Sequence, residues 1–393
     1  SALGLKAVAA IVCAGWIAAA VAAAQPVASG PDVAAGPGDP TRGRAIVRDP
    51  GRVSCLICHA MPIPEEPDHG AIGPPLDGIG SRMGTDELRR RIADPATFAS
   101  GSAMPSYRRT DGLVRVSARH LGQPIYSAQE LEDVVAYLAT LTQRVPPPVP
   151  PPPRTQDPAQ AQGQASSGAA YLDAATRRLQ EDDFLNPGMF AVEQGREVFR
   201  RVDGDRGVSC AACHDEAATR GMAAGYPRYE AARGGIVDLA AAIDAMRRDK
   251  MGAAPLGRDS EEMLALSAFL ARQSRGLLRR IDADGPARPF LEAGRDFFFA
   301  RRGQLDLSCA QCHDALAGAK LRGDTISQGQ TDGFPVYRLS WRAMASPHRM
   351  FAWCNAALRA EPFEGGSDAY LALEFYLAWR GRDLPLDGPA VRR

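Results

Sequence analysis

The chain has no excess of charge of either sign: 46 basic residues balance 46 acidic ones over 393 positions. A neutral total excludes the global field that draws a protein onto nucleic acid or an anionic membrane. Cysteine is scarce, eight in all, and the stretch "MFAWCNAALR", residues 350–359, holds Cys354 with no second cysteine nearby to pair with it. What is abundant is Gly (39) and Pro (31), which announces long linkers. At the start, Lys6 precedes an apolar run from Ala7 to Ala24, and Ala22 and Ala24 form a small-x-small site before Gln25. Residues 1–24 therefore read as a cleaved secretory signal peptide, and 25–39 as a disordered linker. The run is also just long enough for an uncleaved membrane anchor, but its alanine richness favours cleavage. Cleavage removes Cys13 and leaves seven cysteines, an odd number that in an exported chain demands an explanation.

Six of the seven belong to three copies of one motif: Cys55-x-x-Cys58-His59, Cys210-x-x-Cys213-His214 and Cys309-x-x-Cys312-His313, each preceded by Ser. Cys-x-x-Cys-His is the attachment signature of c-type haem, in which two thiols form thioethers and the adjacent imidazole reaches the iron. Three copies in one exported chain predict three covalently bound haem c groups.

The surroundings repeat too. "VEQGREVFRRVDGDRGVSCAACHD" and "LEAGRDFFFARRGQLDLSCAQCHD" align without a gap at an offset of 99, matching Gly195 to Gly294 and Phe199 to Phe298; a looser copy, "GRAIVRDPGRVSCLICHA", carries Gly43 and Arg44. Each unit closes with a Ser-capped amphipathic helix bearing an aromatic-Leu-Ala triplet at Tyr137, Phe269 or Tyr376, residues suited to core packing. A start helix, a haem motif, a variable middle and a closing helix predict an all-α architecture of three cytochrome c-type domains, at 40–143, 175–282 and 283–393. A Pro-rich linker, 144–174, tethers the first unit to the other two; Pro146–Pro153 favours an extended rod at roughly 3.1 Å per residue.

Each histidine leaves the opposite axial position open. In the first unit Met104 stands 45 residues after His59 in a Gly/Ser/Pro loop, with Met61 and Met83 as competitors. A thioether there suits an electron acceptor. In the third unit no comparable loop methionine stands out, and Cys354 follows His313 by 41 residues. A buried cysteine is often no more than a small apolar side chain, although an oxidising compartment penalises an idle thiol. Arg338, Arg342, His348, Arg349 and Arg359 make its neighbourhood cationic, and Ser346-Pro347 reads as a helix start. On an ideal helix Arg349 and Arg359 lie about 140° to either side of Cys354. There they would lower the thiol pKa and bind an oxyanion, unless they serve a solvated face or the haem propionates.

The segment "FPVYRLSWRAMASPHRMFAWCNAALRAEPF" with "YLALEFYLAWRGR" resembles SoxA, the dihaem subunit of the thiosulfate-oxidising Sox cytochrome, while "GPPLDGIGSRMGTDELRRRIADP", "MPSYRR" and "QELEDVVAYLATL" are similar to SoxX, its monohaem partner. The resemblance covers roughly residues 40–143 and 175–388, nearly all of the mature chain, and implies two normally separate subunits in one chain. It implies a periplasmic L-cysteine S-thiosulfotransferase in which Cys354 is both haem ligand and catalytic persulfide. Thiosulfate would be joined to the cysteine of a SoxYZ-type carrier protein, and two electrons would leave for a small c-type cytochrome. Where relatives carry a second ligating cysteine, this chain has Met246, 32 residues after His214, with Met222 and Met251 as rivals. Where they carry an arginine four residues before the cysteine stands Met350, which leaves Arg349 as the substrate-binding candidate. A plain multihaem electron carrier and a dihaem peroxidase-like enzyme are the alternative functions.

Overall fold

The computed structural model describes residues 35–143 and 165–393; the signal segment, most of the first linker and Pro146–Pro153 lie outside the described residues. Three helix pairs organise the rest. Helix α1 (Pro40–Arg48) packs on α4 (Ala128–Thr140), with α2 (Ile79–Arg82) and α3 (Thr85–Ala93) between them in sequence. After α5 (Ala174–Glu181), α6 (Gly188–Arg200) packs on α8 (Glu261–Gln273), with α7 (Leu239–Met246) between. Helix α9 (Arg288–Phe299) packs on α12 (Asp368–Arg380), with α10 (Cys309–His313) and α11 (Pro347–Ala357) between. Among the described residues no helix is long and apolar enough to cross a membrane.

Glycine makes each crossing possible. A Cβ on Gly43 would lie 1.9 Å from Asp133 O and 2.8 Å from Tyr137 Cβ; on Gly195, 2.0 Å from Ala265 O and 2.8 Å from Phe269 Cβ; on Gly294, 2.0 Å from Ala372 O and 2.7 Å from Tyr376 Cβ. The backbones therefore touch, and the aromatic residue of the closing helix fills the space beside the contact. Caps account for the helix ends. Ser127 and Glu130 form a reciprocal capping box on α4, and Ser260 Oγ accepts from Met263 N. Ser367 occupies the same place on α12, but its hydroxyl makes no cap bond.

The structure departs from the sequence expectations in three ways. Short strands interrupt the all-α plan: β1 (Arg228–Glu230) pairs with β2 (Gly235–Val237), β3 (Lys320–Leu321) with β4 (Asp324–Thr325), and β5 (Val336–Arg338) lies between β6 (Ala343–Ala345) and β7 (Ala390–Arg392). The linker ends are shorter than expected, because backbone polar groups there find partners. Gly36 N donates to Gln129 Oε1 and Asp39 N to Asp133 Oδ1, while Ser166 N donates to Gln328 Oε1. Finally, the first unit is docked on the third rather than merely tethered. Val116 bridges Ala360, Gly303 N donates to Val114 O, Arg322 N to Ile57 O, and Arg109 and Arg322 pair with Asp306 and Glu66 at 2.5 and 2.9 Å.

Candidate functional site

The serine before each motif caps the turn that carries the cysteines. Ser54, Ser209 and Ser308 Oγ accept from Leu56, Ala212 and Gln311 N at 3.2, 3.2 and 3.3 Å. Histidine orientation follows from the backbone. His59 Nδ1 donates to Pro74 O and His313 Nδ1 to Ser327 O, each at 2.7 Å, which leaves Nε2 with its lone pair on both rings. Burial lowers both imidazole pKa values against the opposing pull of those carbonyls, so the rings are held neutral. A Cβ at Gly73 would lie 2.1 Å from His59 Cε1, so the loop can pass the ring only as glycine.

In the second unit Cys210, Cys213 and His214 open onto a cavity of about 710 Å³. That is within the range of cofactor sites, roughly 300–1,000 Å³. Met222, Met246 and Met251 all line it, so the three rival sulfur donors face one space. Met246 ends α7 and is 46% exposed, whereas Met251 is buried at the end of a π-helical turn, Arg247–Met251. In the first unit Met61, Met83 and Met104 all pack on the core that holds Cys55; Tyr107 and Tyr126 meet in that core with ring centroids 4.4 Å apart and planes tilted by 33°, a pair with no motif to betray it. The donor sets, the neutral imidazoles and the cavity fit covalently bound haem c.

Cys354 lies on α11, whose start is built as expected: Ser346 Oγ accepts from Arg349 N and Pro347 is the first residue. The thiol is close enough to Cys309 and Cys312 to feel their charge. Burial pushes it up to about 12; Cys309 and Cys312 add to the rise and Arg338 opposes it. The expected depression by arginines is thus reversed, because desolvation outweighs the one guanidinium that reaches the sulfur. The first motif faces the same region: Cys58 is pushed up to about 12 by burial, then by Cys55 and Cys312.

The two arginines selected from helical geometry are occupied elsewhere. Arg349 Nη1 donates to Met344 O at 3.2 Å, and its guanidinium stands 5.0 Å from the Trp341 ring. Arg359 lies beyond the end of α11 with a φ of 55°, so the helical angle does not apply to it. Its guanidinium donates to Gln304 Oε1 and to Gly51 O of the first unit, at 2.6 and 2.5 Å. Arg338, on β5, is the arginine beside Cys354; its position depends on a strand that no pattern in the sequence announces.

The SoxA/TsdA cytochrome c domain family matches residues 194–278. L-cysteine S-thiosulfotransferase subunit SoxA of Pseudaminobacter salicylatoxidans is 40% identical over 58% of this chain and 80% of its own length. The SoxA subunit of Paracoccus pantotrophus is 35% identical over 74% of this chain and 100% of its own. The crystal structure of SoxXA from P. pantotrophus superposes with a TM-score of 0.57 at 38% identity, covering 58% of this chain and 87% of that one. With its helical cytochrome fold and its lone cysteine beside a Cys-x-x-Cys-His motif, the chain belongs to the SoxA family of L-cysteine S-thiosulfotransferase subunits.

Proposed function

We propose that this protein is a periplasmic SoxX–SoxA fusion of three cytochrome c-type domains that joins thiosulfate to the cysteine of a SoxYZ-type carrier. The observation that carries the reading is the placement of the unpaired Cys354 beside Cys309 and Cys312. The overall step is balanced: a carrier thiol and thiosulfate, S2O3²⁻, give the carrier S-thiosulfonate, one proton and two electrons. One S–S bond forms, the S–H bond breaks, and two molecules of a small oxidised c-type cytochrome each take one electron. Three bound haem c groups would supply the one-electron path between the sulfur and that acceptor.

The roles follow from the side chains. Cys55, Cys58, Cys210, Cys213, Cys309 and Cys312 would anchor the groups covalently, and His59, His214 and His313 would each offer a ring nitrogen to one of them. Met104, Met246 and Cys354 would supply the further donors, one to each group, and Cys354 would also carry a persulfide sulfur. As a ligand Cys354 would be held as thiolate against the desolvation that raises its pKa, since a coordinating thiol is deprotonated. Cys58 lies within electrostatic reach of Cys312, which supports the first unit as the exit for electrons to the acceptor cytochrome. Arg349 serves the site by stacking on Trp341; Arg359 clamps the first unit to the third.

The test is turnover of the haem-loaded full chain with thiosulfate, carrier and oxidised cytochrome. The expected result is a carrier heavier by one thiosulfate group and two reduced cytochromes per conjugate. Reduction without conjugation would leave a multihaem electron carrier, and peroxide turnover would point to a peroxidase-like enzyme. The mass of the Cys354 peptide reads the persulfide directly.

A further inference from the structure

Beside Cys354, three aromatic and basic side chains converge from separate elements. Arg338 is the last residue of β5, Trp341 lies in the turn that follows it, and Trp353 precedes Cys354 on α11. The Arg338 guanidinium stands 5.4 Å from the Trp341 ring and 5.5 Å from the Trp353 ring, and the two rings meet edge to face at 6.1 Å. Stacking on ring faces holds a guanidinium while leaving its N–H edge free for a ligand. The Arg338 Nε is shut off from solvent and has no hydrogen-bond partner among the described residues. A buried donor without a partner costs stability unless something else satisfies it.

Two neighbours are excluded from that role. Asp324 and the Cys354 sulfur both lie within electrostatic reach of Arg338, but neither makes a hydrogen bond to Nε. Arg349 stands on Trp341 as well, with its own Nη1 given to Met344 O, and so braces the ring instead of facing a ligand. Trp353 is 44% exposed, which puts one wall of the cage in contact with solvent. An anion entering past Trp353 would meet the Arg338 fork and then Cys354.

We propose that Arg338, held against Trp341 and Trp353, is the group that receives the sulfonate end of thiosulfate at Cys354. The inference rests on the thiosulfate reading above and names its binding residue. A sulfonate presents three oxygens on one face, matching the planar fork, and its outer sulfur would then lie toward Cys354. The carrier thiol needs no contact with Arg338.

The experiment compares the haem-loaded full chain with Arg338→Gln and Arg338→Lys. Calorimetric titration with inorganic thiosulfate, alongside sulfate as a second anion, reads binding; steady-state turnover with carrier and cytochrome reads KM and kcat. Arg338→Gln is expected to weaken thiosulfate binding and raise its KM at least tenfold. The carrier KM, the haem content and the visible spectrum should stay those of the parent. Arg338→Lys, which keeps the charge and loses the fork, should recover part of the loss, and this also covers the case in which the glutamine variant folds poorly. Unchanged thiosulfate affinity in a folded Arg338→Gln overturns the proposal while leaving the functional reading intact. Thiosulfate binding that depends on Arg338 but yields no conjugate with carrier upholds the subsite and overturns the functional reading.

Discussion

At the scale of single residues, the chemistry rests on which sulfur is free to react. Six cysteines are proposed as covalent anchors, so Cys354→Ser should abolish conjugation while haem content stays that of the parent. The visible spectrum of the third unit should change at the same time, since a serine oxygen is a poor substitute for a thiolate; carrier mass and absorbance check both. Substantial conjugation by the serine variant would reduce Cys354 to a packing residue. Met246 is tested in the same way, because it shares one cavity with Met222 and Met251. Met246→Cys should lower the reduction potential of the second unit, as thiolate favours the ferric state, and spectroelectrochemistry reads the shift. If Met246→Ala leaves the low-spin spectrum of that unit intact, the donor is one of the other two methionines.

At the scale of elements, the helix crossings set the stability of each unit. Replacing glycine by alanine in an exposed helix gains up to about 1 kcal/mol of propensity. At Gly195 the added carbon would lie 2.0 Å from the Ala265 carbonyl, a backbone atom that cannot swing aside. Overpacking of this kind costs about 1–3 kcal/mol, so the clash wins. Gly195→Ala and Gly294→Ala should each lower the midpoint of urea unfolding, whereas alanine at the exposed Gly101, which meets nothing within 4 Å, should not. Equal midpoints for all three would refute the backbone-contact account.

At the scale of the whole molecule, a buried polar cluster joins the second unit to the third. His348 Nδ1 accepts from Gly366 N, which leaves Nε2 as the protonated nitrogen, 3.0 Å from Glu374 Oε2 and 4.0 Å from Asp238 Oδ2. Arg258 pairs with Asp238, so cations already balance these carboxylates and a metal ion would meet repulsion. Burial by itself would raise the pKa of Glu374; the adjacent His348 Nε2, with the charges of Arg258 and Arg279, more than offsets it and holds the group below its ordinary value. A depressed carboxylate adds stability above its unfolded pKa, near 4.3, and that stability is lost as pH falls through the lower folded value. Glu374→Gln should therefore flatten the acid limb of the stability curve and cost on the order of 3–5 kcal/mol at neutral pH, measured by urea unfolding from pH 3 to 7. The first unit meets the third mainly through ion pairs and backbone hydrogen bonds, with Leu305 packed against its core. Cleavage of the chain between residues 143 and 165 should leave both pieces together on gel filtration at 0.1 M salt and loosen them at 1 M, where screening reaches about 3 Å.

The Cys-x-x-Cys-His motifs, the duplicated units and the helix pairs were legible in the sequence because each depends on neighbours in the chain. Cys-x-x-Cys-His works through spacing, Ser260 caps its own helix, and Gly195 and Gly294 repeat because the same backbone contact recurs in each unit. The isolation of Cys354 was equally plain, since absence of a partner is a property of the list of residues. What surrounds that sulfur was decided only in three dimensions. Arg338 reaches it from the end of a strand sixteen positions earlier, while Arg359, five positions later, leaves the helix in a left-handed conformation and turns to Gly51. The docking of the first unit on the third rests on contacts such as Val116 with Ala360 and Arg322 with Glu66, pairs more than 200 residues apart. Local spacing carries no record of such pairs, because what brings them together is the burial and hydrogen bonding of the folded chain as a whole.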